Sequence, residues 1–186
     1  MSNRARKVYT LKDELKDKIN RGCDVVANHE KSKSLIDELR QIEFKSIYFV
    51  GCGFGEFLIN TKEAFPEVDV GGCEIAELYK SFGVNTLGVD ESLVTYEVKE
   101  PPYDDIPQAD VIVCDDFIKD SPEQDALLKM IFERANKYVV MFYVYSSKIK
   151  EIGDFRMVDN NIDLDVFEIP RKVKNVLNKE QLDEKE

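Results

Sequence analysis

Three groups of residues have types and spacings that suit chemistry. The first is Gly51-Cys52-Gly53-Phe54-Gly55, followed at once by Glu56. Three glycines at alternate positions permit a sharp turn and let main chain approach a ligand where a side chain would stand in the way. The other reading of that run is a tight turn that binds nothing. The second group is Glu74, 19 residues after Gly55, in Gly71-Gly72-Cys73-Glu74. A carboxylate can accept hydrogen bonds from both hydroxyls of a ribose, or it can simply cap a helix. The third is Asp115-Asp116, which could orient or deprotonate an acceptor, or could be solvated acids at a strand end.

The glycine run limits the ligand. A dinucleotide fingerprint needs Gly-x-Gly-x-x-Gly/Ala, but here Glu56 holds the last position and would compete with a pyrophosphate for the helix N-terminus. The lysine and Ser/Thr of a P-loop are also missing. Metal chemistry finds little support. The four cysteines, Cys23, Cys52, Cys73 and Cys114, are 29, 21 and 41 residues apart, and His29 is the only histidine. They read as reduced, mostly buried small hydrophobes, and no metal is expected.

The elements that must position these residues alternate between helical and strand periods. Leu11, Leu15 and Ile19 recur at helical spacing, as do Leu35, Ile36, Leu39 and Ile42, so two helices are expected, with a polar break around residues 28–33. Ser46–Val50 reads as a strand ending at the glycines, and Glu56–Phe65 as a helix stopped by Pro66. Val68–Cys73 is a second strand, Ile75–Phe82 a helix ended by Gly83, Asn85–Val89 a third strand and Asp110–Cys114 a fourth. Ser121-Pro122 and Gln124 open a helix through Ala135. Tyr138–Tyr145 is apolar enough to be a central strand, and Phe155–Val158 with Leu164–Ile169 suggests a closing antiparallel hairpin. Strands separated by helices predict an α/β fold, a doubly wound and mostly parallel sheet. Its ligands would sit beyond the carboxyl ends of the strands. The expected division is a helical cap over residues 1–45, a Rossmann-like domain over 46–170 and a charged tail over 171–186.

Composition narrows the partners. The chain has 186 residues, 43% hydrophobic and 34% charged, enough for one domain with a real core. No apolar run approaches the ~20 residues of a membrane span, and the start lacks a secretory signal, so a cytoplasmic protein is expected. Net charge is −11, yet residues 1–45 hold 11 basic and 8 acidic residues, which makes that arm +3 and the remainder −14. An acidic body disfavours nucleic acid and leaves the arm as the one segment that could attract it.

With these residues in view, Ile47-Tyr-Phe-Val-Gly-Cys-Gly-Phe-Gly55 and Val70-Gly-Gly-Cys-Glu74-Ile-Ala-Glu77 resemble motif I and the following acidic motif of class I S-adenosylmethionine-dependent methyltransferases. The similarity spans about residues 35 to 145. It implies S-adenosylmethionine as cofactor, contacted by Gly51, Cys52, Gly53, Gly55, Glu74 and Ile75, with Asp90 as the acid after the third strand. It places Asp115 and Asp116 where cofactor and acceptor meet, and Phe117, Tyr143 and Tyr145 could wall the acceptor pocket. One position departs from the pattern: members of that family usually carry Asp or Glu two residues before the first glycine, and this chain has Phe49. Glu100-Pro101-Pro102-Tyr103 reads as a rigid turn. The functions left open are methyl transfer to a small molecule or a protein, binding without catalysis on the same fold, and nucleic-acid methylation using the basic arm.

Overall fold

The computed structural model describes residues 23–100, 103, 105–114, 124–142, 156–161 and 164–168. The expected helix at 11–19, the Ser121-Pro122 helix start, Asp115, Asp116, Phe117, Tyr143, Tyr145 and the tail lie outside those residues.

The first described element is a helix, α1, over Cys23–Leu39. Here the structure corrects the expected break: the polar stretch at 28–33 is helical. It contains no glycine or proline, so a lapse in apolar spacing alone does not end the helix. Strand β1 (Ser46–Val50) follows, then α2 (Glu56–Ala64), β2 (Asp69–Glu74) and a short α3 (Glu77–Phe82).

A second correction comes after α3. Gly83 keeps right-handed helical angles, and the chain continues in a π-helical turn over Gly83–Leu87 until Gly88, at φ 79, reverses it. The third strand is therefore not Asn85–Val89 but β3 over Thr95–Val98. Strand β4 (Ala109–Cys114), helix α4 (Gln124–Arg134) and β5 (Ala135–Met141) complete the described core. Ala135, expected on the helix, opens the strand instead. Two further strands, β6 (Arg156–Asn161) and β7 (Leu164–Glu168), run antiparallel to each other, and β7 runs antiparallel to β5.

Strands β1 to β5 are parallel, in the order β3-β2-β1-β4-β5. The chain winds outward from β1 through β2 to β3, then returns to place β4 on the other side of β1. The strand order thus reverses at β1 and β4, where Val50 pairs with Cys114, and a ligand crevice is expected at that point.

Side-chain alternation gives the sheet two apolar faces. On one, Ile47, Phe49, Val111, Val113 and Val140 pack with Leu35 and Leu39 of α1 and with Phe57 and Leu58 of α2. On the other, Tyr48, Val50, Ile112, Cys114, Val139 and Met141 pack with Leu127, Leu128 and Ile131 of α4. The described part of the 1–45 segment therefore supplies a helix to one covering layer. Gly72 fits this packing because a Cβ there would stand 3.0 Å from both Leu58 Cδ2 and the Phe49 carbonyl oxygen. Among the described residues, no helix is long and apolar enough to cross a membrane.

Candidate functional site

The glycine turn leaves the carboxyl end of β1 and is tied immediately to β2. The N–H groups of Gly51 and Cys52 both donate to the Cys73 carbonyl, at 2.9 and 3.0 Å, and Gly55 N–H closes the turn on the Cys52 carbonyl. Gly51, Gly53 and Gly55 have φ of 80, 56 and 87, a left-handed conformation that costs a side-chain-bearing residue energy. This turn needs glycine for its backbone angles at all three positions.

Glu74 ends β2 facing the same turn. One carboxylate oxygen accepts from Gly53 N–H at 2.9 Å and the other from Ile75 N–H at 2.8 Å. The side of Gly53 where a Cβ would point is open, with no atom of the described residues within 4 Å. Beside Glu74, the Ile75 side chain is 49% exposed, an apolar surface at the mouth of the turn.

The neighbouring aromatic residues do not fill that space. Phe49 is 2% exposed and stacks on Phe57 at 5.9 Å between ring centroids, inside the α2 layer. Phe54 turns the other way and packs on Tyr79 and Phe82 of α3. The Phe49 position therefore offers core packing where the resembling family has a carboxylate.

The structure brings Gly51, Cys52, Gly53, Gly55, Glu74 and Ile75 together around one turn. Cys52 contributes main chain only, because its side chain is buried in the core beside Phe49 and Phe57. Burial pushes the Cys52 thiol well above its ordinary value, and the charge of Glu74 adds to the effect. Asp90 is a correction. It precedes β3 instead of following it, lies exposed, and accepts from Ser92 N–H at 2.8 Å; hydrogen bonding from the Ser92 side chain, and then from that N–H, holds its carboxyl below the usual range. Its neighbour Val89 is what packs against the turn: a Cβ on Gly55 would stand 2.9 Å from Val89 Cγ2. Asp115 and Asp116 follow Cys114 in sequence and lie outside the described residues.

Sequence reasoning missed Tyr96. It lies on β3, 3% exposed, and its hydroxyl donates to the Gly53 carbonyl. The usable signal was Val94-Thr-Tyr-Glu-Val98, an alternating β-branched and aromatic run that marks β3 better than Asn85–Val89 does. Tyr103, expected in a rigid turn, is buried with φ 61, the only non-glycine positive φ among the described residues.

No sequence-family profile matches the chain, and no curated protein matches it. Solved structures do. A magnesium protoporphyrin IX methyltransferase of Synechocystis PCC 6803, crystallised with bound S-adenosylmethionine, aligns over 77% of this chain and 79% of its own, with 15% identity and a TM-score of 0.57. The chain has the class I methyltransferase fold. A precorrin-6y C5,15-methyltransferase from Geobacter metallireducens GS-15 aligns over 75% of this chain and 86% of its own, at 14% identity and TM-score 0.56. An amino pentose methyltransferase from Micromonospora echinaspora, in S-adenosylmethionine-bound form, covers 64% of this chain and 52% of its own, at 18% identity and TM-score 0.53. In a class I methyltransferase fold the glycine turn and Glu74 lie at the carboxyl ends of β1 and β2, the end of the sheet beyond which such folds hold their ligands.

Proposed function

We propose that the protein binds S-adenosylmethionine and transfers its methyl group to a small-molecule or protein acceptor. The observation that carries this reading is Glu74: a carboxylate at the end of β2 that accepts from Gly53 N–H and Ile75 N–H, beside a glycine turn that is open among the described residues. The cofactor-bound states of the structural neighbours support the same ligand. On this reading β6 and β7 are the closing hairpin of the fold.

Within the site, Gly53 lets main chain come close to the ligand, Glu74 holds its sugar, and Ile75 offers a flat apolar contact for a base. The bound cofactor supplies an electrophilic methyl on a sulfonium. The protein's task is then to align donor and acceptor and to accept the acceptor's proton. Asp115 and Asp116 are our candidates for that second task.

A second reading, cofactor binding without catalysis, is favoured by Phe49. Its stacking on Phe57 leaves no carboxylate at that position for the cofactor's cationic end.

Calorimetric titration with S-adenosylhomocysteine tests the binding. Wild-type protein should bind, and Glu74→Gln should weaken binding by about 1–3 kcal/mol, the value of charged hydrogen bonds. The absence of both heat and thermal stabilisation at millimolar ligand would refute both readings. Mass spectrometry of a broad acceptor panel separates them, since any methylated product rejects the second.

A further inference from the structure

Gly53 is held at both of its polar groups. Glu74 takes its N–H, and Tyr96 donates to its carbonyl from a strand 43 residues along the chain. The Tyr96 ring also supports the turn from behind: a Cβ on Gly55 would stand 3.2 Å from Tyr96 Cε1. Lys80, paired with Glu91 at 2.8 Å, places its ammonium 5.8 Å from the centre of the same ring. The side of Gly53 where a Cβ would point is open among the described residues.

We infer that Tyr96 is a positioning residue for the cofactor site. It sets the carbonyl of Gly53, and so the plane of the peptide that a ligand in the open space would meet. The inference rests on reading the turn as the S-adenosylmethionine site. A loop fixed before binding loses less freedom when the ligand arrives, so an interaction that never touches the ligand can still raise affinity. The hydroxyl has to stay protonated for this purpose. Burial pushes its ionisation upward, and Cys52, once itself ionised, and the charge of Glu74 act in the same direction.

Tyr96→Phe keeps the ring against Gly55 and removes only the bond to Gly53. Tyr48→Phe is its control: Tyr48 is equally buried, its hydroxyl bonds Glu97 at 2.9 Å, and it packs on the opposite face of the sheet. Two measurements are made on wild type and both variants: affinity for S-adenosylhomocysteine, and amide hydrogen exchange of residues 51–55 without ligand. Tyr96→Phe should weaken affinity about three- to tenfold and speed exchange in the turn, with protection in β1 and β4 retained. Tyr48→Phe should leave both unchanged.

Equal affinity and unchanged turn exchange in Tyr96→Phe would overturn the inference. So would equal losses in the two variants, which would mark a general packing role. If wild type binds no S-adenosylhomocysteine, the functional reading fails, and this inference, as a statement about a cofactor site, falls with it. Wild-type binding with an unaffected Tyr96→Phe overturns the inference alone.

Discussion

Gly83 backs onto the carbonyl of Phe54: a Cβ on Gly83 would stand 2.0 Å from that oxygen. The π-helical turn and the glycine turn therefore touch main chain to main chain, while the Phe54 ring packs on Tyr79 and Phe82 of the preceding helix. Gly83 has ordinary right-handed helical angles, so glycine is required there by space and not by conformation. The two effects of Gly83→Ala have opposite signs. Helix propensity favours alanine by about 1 kcal/mol, and the clash with a carbonyl that can move only with its turn costs about 3 kcal/mol. The clash should win. Urea unfolding is expected to show a net loss near 2 kcal/mol, and a stabilised variant would mean that the two turns are not in contact.

Stability should also fall in mildly alkaline solution. Burial raises the ionisation of Cys73 to about 11, and raises Cys52, Tyr48 and Tyr96 as well. Each group stays neutral in the folded protein at a pH where the unfolded chain releases its proton. The folded state then binds more protons, and stability falls as pH rises. For Cys73 this contribution is complete below about 9 and is lost between there and about 11. Urea midpoints should hold steady from pH 7 to about 8.5 and then decline, and Cys73→Ala should make the decline shallower. Midpoints that rise through this window would reverse the sign and refute the argument.

The readable parts of this fold are those set by neighbours in sequence. Ser46–Val50, the glycines after it and Pro66 beyond α2 each act locally, so the strand, the turn and the helix were legible. Glu74 was legible for the same reason, as an acid ending the next strand.

The errors come from long-range contacts. Gly83 looks like a helix stop, but its real constraint is Phe54, 29 positions earlier, and the helix passes through it. Misplacing that stop moved the third strand to 85–89 and gave Asp90 a role that depends on following it. Tyr96 escaped notice because its partner, Gly53, lies 43 positions away. Nothing local distinguishes a tyrosine that grips a turn from one that only fills a core. Similarly, α1 continues through its polar stretch because Leu35 and Leu39 bury completely against the sheet, and that packing holds the helix.

Two glycines of the turn should separate stability from binding. Both have left-handed angles, so alanine at either costs about 1 kcal/mol or more in backbone strain. Their surroundings differ. At Gly55 the added methyl would meet Val89 at 2.9 Å and Tyr96 at 3.2 Å, so Gly55→Ala adds overpacking of about 1–3 kcal/mol to the strain. At Gly53 it would meet no atom of the described residues within 4 Å and would project into the space proposed for the cofactor. Gly53→Ala should accordingly lose only about 1–2 kcal/mol in urea unfolding, yet weaken S-adenosylhomocysteine binding at least tenfold. Gly55→Ala should unfold at clearly lower urea. The decisive result is the pairing of the two measurements in Gly53→Ala: if it binds the ligand as wild type does, the open side of Gly53 is not where the cofactor sits.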